Sequence, residues 1–177
     1  MLLRKIFKRL VMNTANYSES KEYWRPPHDP PRNSCSETIE DVEGHLLKYI
    51  QANSEKGNPI DVLNKIDTFA NENWMMNLGP EKTPIIRAAM KDKMIKNVLE
   101  IGGYCGYSAL FYAIELSKVE GAKIHSIEIS DYYAGIARQI HQHAGLDHMI
   151  EVHLGTVEKS EEYIKEKGPY DLIFIDH

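Results

Sequence analysis

Long apolar runs, cysteine pairs and a surplus of basic charge are all missing from this chain of 177 residues. No run approaches the roughly 18 apolar residues that a membrane-spanning helix requires, so no integral membrane segment is predicted. Cys35 and Cys105 are the only cysteines and lie far apart, which excludes a disulfide framework and a C-x-x-C metal site. Lys and Arg number 21 against 26 Asp and Glu, so no nucleic acid partner is predicted.

The first 37 residues are predicted to be a basic, proline-rich and disordered extension. Residues 1–12 carry four basic and no acidic side chains among apolar ones. This pattern leaves three alternatives: contact with an anionic membrane surface, a weak mitochondrial presequence, or a frayed start. The stretch 25–31 contains four prolines and is expected to act as a stiff tether. Apart from the membrane-surface and mitochondrial alternatives, we expect a cytoplasmic monomer.

Residues 38–177 are predicted to form an α/β domain. Apolar periodicity predicts a helix over 38–52, a second from the N-cap Asn58 and the helix-starting Pro59 to about Glu72, and a third over 83–93. Strands are then predicted over 97–101, 123–129, 149–154 and 170–176, with helices over 107–116, 131–143 and 157–165. Three consecutive strand–helix–strand units predict a doubly wound parallel sheet, with ligands beyond the carboxyl ends of its strands.

The loop after the first strand lacks the G-x-G-x-x-G pattern of dinucleotide-binding proteins. A pattern begun at Gly102 would need glycine at Tyr104 and Tyr107, and one begun at Gly103 would need it at Cys105. What remains is an acidic residue two positions before one glycine and a second glycine four positions after it. This arrangement suits the amino-acid tail of S-adenosylmethionine, although a glycine that only makes a turn is the alternative.

Two further acidic residues end predicted strands. Glu128 lies 22 positions past Gly106, where its carboxylate could accept both hydroxyls of a ribose; a solvent-exposed glutamate is the alternative. Asp176 ends the fourth strand and could hold a divalent cation or the ammonium group of the cofactor. Because the carboxyl ends of parallel strands share one edge, Glu100, Glu128 and Asp176 are predicted to face one crevice.

Several segments together resemble the catechol O-methyltransferases, a family of S-adenosylmethionine-dependent enzymes. The similarity runs in register from about Glu43 to the last residue, and its segments are 73–82, 98–109, 127–134, 144–146 and 174–177. The most discriminating part is G-Y-C-G-Y-S, residues 103–108, directly after a strand. The resemblance implies a Rossmann-like methyltransferase sheet that is incomplete here, with four strands present and the C-terminal strands missing.

The resemblance also implies a cofactor, a metal ion and a site. The cofactor is S-adenosylmethionine, and a magnesium ion holds both oxygens of a small-molecule catechol substrate. Backbone groups of Leu78 and Gly102 would contact the methionine portion of the cofactor. Its polar end would be surrounded by Glu100, Tyr104 and Ser108. Glu128 would bind the ribose, and Ile129 would pack on the adenine. Trp74 and Met76 would line the entrance near the methyl group, with ordinary packing as the alternative, and Asp176 would be a magnesium ligand.

The sequence also departs from the family pattern. Val157 and Glu158 stand where the family offers a hydroxyl and an amide to the adenine. The family's catalytic lysine falls beyond His177, so no catalytic residue is assigned, and we expect the 177-residue chain to be weakly stable and inactive by itself. A non-catalytic truncated fragment and another cation-dependent small-molecule O-methyltransferase are the alternatives.

Three histidines cluster around the end of the predicted helix 131–143. His141, His143 and His148 lack a clear metal-ligand geometry. We expect them to lie on a solvated surface.

Overall fold

Helices and strands alternate through most of residues 41–176, the part of the chain that the computed structural model describes. In chain order the elements are α1 (Val42–Asn53), α2 (Pro59–Glu72), α3 (Gly79–Met90), β1 (Asn97–Ile101), α4 (Tyr107–Glu115), β2 (Lys123–Glu128), α5 (Asp131–Ala144), β3 (Ile150–Leu154), α6 (Glu161–Lys167) and β4 (Leu172–Ile175). The predicted extension 1–37, the predicted helix start at 38 and His177 lie outside the described residues. None of the helices within 41–176 has the length and apolarity needed to cross a membrane.

The four strands form one sheet in the order β3-β2-β1-β4, and every neighbouring pair is parallel. The register places Glu100 of β1 beside Ser126 of β2 and beside Phe174 of β4. Because all strands run the same way, their carboxyl ends lie along one edge of the sheet. The predicted α/β fold with four parallel strands is therefore confirmed.

Helices cover both faces of the sheet. Helix α4 is almost completely buried, and its residues 109–113 join Ile124 of β2 in the main hydrophobic core. Neighbouring residues of a strand point to opposite faces. On the other face the ring Nδ1 of His125 lies 2.9 Å from the Tyr163 hydroxyl of α6. Packed helices therefore support the sheet on either face.

Helix α2 begins where the sequence predicts. Asn58 is its N-cap, and the Asn58 side chain accepts a hydrogen bond from the Asp61 N–H at 3.1 Å, while Pro59 occupies the first turn. Pro59 fits there because the first N–H groups of a helix have no partner within the helix. This end of α2 could be predicted because both signals are local.

Replacing Asn58 with alanine is expected to lower the free energy of unfolding by about 1 kcal/mol, because the Asp61 N–H loses its acceptor. Urea denaturation followed by circular dichroism measures the change. Asn64→Ala, at an exposed position inside the same helix, is the control and should cost nothing, since alanine favours helix. Equal losses in both variants would contradict the capping role.

Three helices begin at other residues than predicted. Helix α1 begins at Val42, later than predicted, because its N-cap Asp41 has a φ angle of 72° and its side chain accepts a hydrogen bond from the Gly44 N–H at 2.9 Å. Helix α3 begins at Gly79 and not near residue 83, because Pro80 fits the first turn of a helix as well as it fits a loop. Helix α6 begins at Glu161 and not at residue 157. The Thr156 carbonyl accepts from the Ser160 N–H at 3.0 Å, which forms a separate turn before the helix.

The expectation for the histidine cluster is wrong for one member. His141 is buried, with 1% of its surface exposed, because it shares the inner face of α5 with Ala137 and Ala144 at helical spacing. His148 is exposed, and the half-buried His143 has its Nε2 3.0 Å from the Ser54 hydroxyl.

Candidate functional site

The loop that follows β1, residues 102–106, is called the glycine loop below. Gly102, Tyr104 and Gly106 all have positive φ angles of 93°, 44° and 84°. The Gly106 N–H donates to the Gly103 carbonyl at 2.8 Å, which closes the turn, and the Gly102 N–H donates to the Ile127 carbonyl of β2 at 3.0 Å. Glycine suits two of these three positions because side chains rarely adopt positive φ. The loop therefore has a defined backbone at the carboxyl edge.

Glu128 connects the loops that follow β1 and β2. One oxygen, Oε2, accepts a hydrogen bond from the Tyr104 N–H at 2.7 Å, and the other, Oε1, accepts from the Ser130 N–H at 2.7 Å. The residue is only 6% exposed. A carboxylate oxygen has two lone pairs, so each oxygen can accept one more donor from a ligand.

Glu100 is fully buried beneath the glycine loop. Its Oε2 accepts a hydrogen bond from the Ser126 hydroxyl, and its Oε1 has no hydrogen-bond partner. Burial raises the pKa of the Glu100 carboxyl to about 7; the Ser108 and Ser126 hydroxyls lower it, and the charges of Asp176 and Glu128 raise it. A buried carboxyl oxygen without a hydrogen-bond partner destabilises the fold unless a donor bonds to it.

Asp176 follows β4 at the same edge. Its N–H donates to the Ile101 carbonyl at 2.9 Å, and its side chain is exposed. Its charge contributes to the raised pKa of the Glu100 carboxyl. The structure thus brings Glu100, Glu128 and Asp176 to one edge, around the end of β1.

Leu78 and the entrance residues lie in the segment before α3. Trp74 and Met76 are 56% and 59% exposed, whereas Met75 between them is buried, as is Leu78. This alternation places Trp74 and Met76 on the solvent side of the segment and not in the core. Ile129, directly after β2, is 70% exposed and offers an apolar surface at the sheet edge.

The side chain of Tyr104 makes its hydrogen bond to a residue other than the three carboxylates. Its hydroxyl donates to Oε1 of Glu43 in α1 at 2.6 Å, and its ring makes an edge contact with Tyr133 at 4.9 Å between centroids. Only its backbone N–H reaches Glu128. Ser108 is buried in the first turn of α4, close to Glu100.

Sequence reasoning missed two residues that build this site, Ser126 and Ser130. Ser126 bonds to Glu100, Ser130 bonds through its backbone to Glu128, and a side chain at Gly103 would collide with the Ser126 hydroxyl. The alternation of β2 gives a signal for Ser126, since it lies two positions before Glu128 and shares its face. Ser130 directly before a predicted helix is a typical N-cap.

The two described cavities lie elsewhere. One, of about 1020 Å³, is lined by Met94, Ile95, Leu116 and Val119 among others, and the second, of about 910 Å³, includes Asn97 and His148. Both touch the start of β1 or the residues before it, at the amino edge of the sheet. Within residues 41–176, no group of three or more His, Cys, Asp or Glu side chains is arranged to hold a metal ion.

Comparison with known proteins places this chain in a family. Residues 52–177 match the O-methyltransferase family. The chain belongs to this family. It is 34% identical over 139 residues to mouse catechol O-methyltransferase, covering 76% of this chain and 52% of that protein. It is 35% identical over 136 residues to zebrafish catechol O-methyltransferase B, covering 75% and 51%. The chain therefore spans about half the length of these two O-methyltransferases.

Solved methyltransferase structures share the fold. The Bacillus cereus O-methyltransferase in complex with SAH has a TM-score of 0.55 and 25% identity, over 76% of this chain and 62% of that one. The SAH-bound Podospora anserina methyltransferase has a TM-score of 0.57 and 23% identity, over 81% and 61%. The expected Rossmann-like methyltransferase fold is confirmed, as is the resemblance to catechol O-methyltransferases.

Proposed function

We propose that this chain binds S-adenosylmethionine at the carboxyl edge of its sheet and serves the methylation of a catechol hydroxyl with magnesium. The observation that carries the proposal is the carboxylate pair beside the glycine loop. Glu128 is fixed by two backbone N–H groups with lone pairs left over, and Glu100 has one buried oxygen without a partner. The similarity to mouse and zebrafish catechol O-methyltransferases supports the acceptor class.

The residues present fit this cofactor. A ribose offers two hydroxyl donors, which match the free lone pairs of Glu128. The methionine portion offers an ammonium group, which would complete the unpartnered Oε1 of Glu100. The Leu78 and Gly102 backbones would contact the same portion, with Ser108 and Tyr104 of the glycine loop region nearby, and Ile129 would cover the adenine. The proposed S-adenosylmethionine-dependent methyltransferase domain begins near residue 38.

Magnesium fits as a partly protein-bound ion. Mg²⁺ is commonly held by one or two carboxylates, with water and substrate oxygens completing its octahedron. Asp176 is exposed at the edge and would supply one such carboxylate. When bound, the cofactor supplies a methyl group on a positively charged sulfur, and the metal ion makes the hydroxyl group of the methyl acceptor more acidic.

The chain's own contribution is orientation. Glu128 and Glu100 would fix the two ends of the cofactor against a backbone that is already ordered, which favours a reactive geometry over many unreactive ones. Trp74 and Met76 would lie over the methyl group and exclude water from it. Met is suited to this place because its side chain is apolar and polarizable.

Calorimetric titration of the purified chain with S-adenosylmethionine tests the proposal. We expect one site per chain and a dissociation constant in the micromolar range. In the presence of cofactor and Mg²⁺, catechol is expected to bind more tightly than phenol, and chelation of the metal should remove the difference. A folded chain that takes up no cofactor would contradict the proposed function, and equal binding of catechol and phenol would contradict the acceptor.

A further inference from the structure

A buried histidine contacts the glycine loop at its last residue, Gly106. The ring Nε2 of His141 in α5 lies 2.8 Å from the Gly106 carbonyl oxygen. The same carbonyl accepts the Leu110 N–H at 3.0 Å and so begins the hydrogen bonding of α4. His141 thus reaches the residue at which the loop becomes a helix.

The bond determines which ring nitrogen of His141 carries the proton. A carbonyl oxygen can only accept, so Nε2 must be the donor. The other nitrogen, Nδ1, is buried without a hydrogen-bond partner, and a proton there would have no acceptor. His141 is therefore neutral, with its proton on Nε2, and burial accordingly lowers its pKa to about 4.

The fit between His141 and the loop leaves no spare room. A Cβ atom at Gly106 would collide with the His141 ring and would come within 2.9 Å of Ala137 Cβ. The φ angle of Gly106 is 84°, which side chains rarely adopt. Packing and hydrogen bonding from α5 therefore act on the same loop residue.

We infer that His141 is a positioning residue: through the Gly106 carbonyl, it holds the glycine loop in the conformation that presents the loop to ligand. Glu128 fixes the loop at the Tyr104 N–H, and His141 fixes it at the Gly106 carbonyl. The hydrogen bond of His141 goes to the loop backbone and to none of the three carboxylates. Its effect on cofactor binding rests on the proposed function, whereas its effect on the loop does not.

The experiment compares three variants of the 177-residue chain. His141→Leu fills the space but has no donor, while His141→Gln restores an N–H donor at a similar reach. His143→Leu is the matched control, because His143 lies on the same helix and bonds to Ser54 and not to the glycine loop. Amide hydrogen exchange and NMR shifts of Tyr104 and Gly106 report on the loop without ligand. Nitrogen-15 NMR of the His141 ring reports which nitrogen is protonated.

We expect exchange of the loop amides to become about tenfold faster in His141→Leu, to recover in His141→Gln, and to stay unchanged in His143→Leu. Affinity for S-adenosylmethionine should follow the same order, with about a tenfold loss in His141→Leu. Unchanged loop amides in His141→Leu, or a wild-type ring protonated on Nδ1, would overturn the inference. A wild-type chain that binds no cofactor while its loop amides respond as expected would contradict the proposed function alone.

Discussion

Replacing Glu128 with alanine is expected to lower the free energy of unfolding by about 3 to 5 kcal/mol. The carboxylate accepts the Tyr104 and Ser130 N–H groups at 2.7 Å each, and hydrogen bonds to a charged acceptor are stronger than neutral ones. Alanine would leave both donors without an acceptor and would uncouple the loops after β1 and β2. Urea denaturation of the two proteins under identical conditions measures the loss.

Glu128→Gln separates binding from folding. Glutamine keeps one acceptor oxygen but directs an amide N–H₂ at the second backbone donor, so a smaller loss of stability is expected. Affinity for S-adenosylmethionine should fall at least tenfold, because the ribose loses a charged acceptor. Glu120→Gln, the same change at an exposed glutamate before β2, is the control and should change neither quantity. Full affinity in Glu128→Gln would remove Glu128 from the ligand site.

The parts of the fold that could be predicted depend on local signals. Asn58 and Pro59 define the start of α2 within two residues, and strand and helix periods are visible in segments of four to fourteen residues. Because parallel strands end at a common edge, the alternation of elements was sufficient to bring Glu100, Glu128 and Asp176 to one side of the sheet. Neither step requires knowledge of a distant contact.

The contacts that could not be predicted join residues far apart in sequence. The Tyr104 hydroxyl bonds to Glu43, 61 positions earlier, through a helix whose docking no local pattern gives. Ser126 and Glu100 meet only because the β1–β2 register places them side by side. The polar character of histidine predicts a surface position for His141, whereas the packing of α5 buries it.

The buried carboxyl of Glu100 should make the free energy of unfolding decrease as the pH rises. Burial raises its pKa from the ordinary 4.5 to about 7, so the folded chain holds a proton that the unfolded chain releases. The contribution is fully present below pH 4.5 and is lost as the pH rises through 7. The difference between these pKa values corresponds to about 3 kcal/mol. Buried His141 acts oppositely, because burial lowers its pKa and its contribution is lost as the pH falls from 6.5 towards 4.

Since the two groups oppose each other in the wild-type chain, Glu100 has to be isolated by substitution. Glu100→Gln resembles the protonated carboxyl and does not titrate, while His141 is retained in both proteins. The stability of the wild-type chain minus that of Glu100→Gln is expected to fall by about 3 kcal/mol between pH 4.5 and pH 8, measured by urea denaturation. Glu120→Gln should show no such trend, because Glu120 is exposed. A difference that stays constant with pH would mean that Glu100 is ionised in the folded chain throughout this range, and that an internal cation or water completes its free oxygen before any ligand binds.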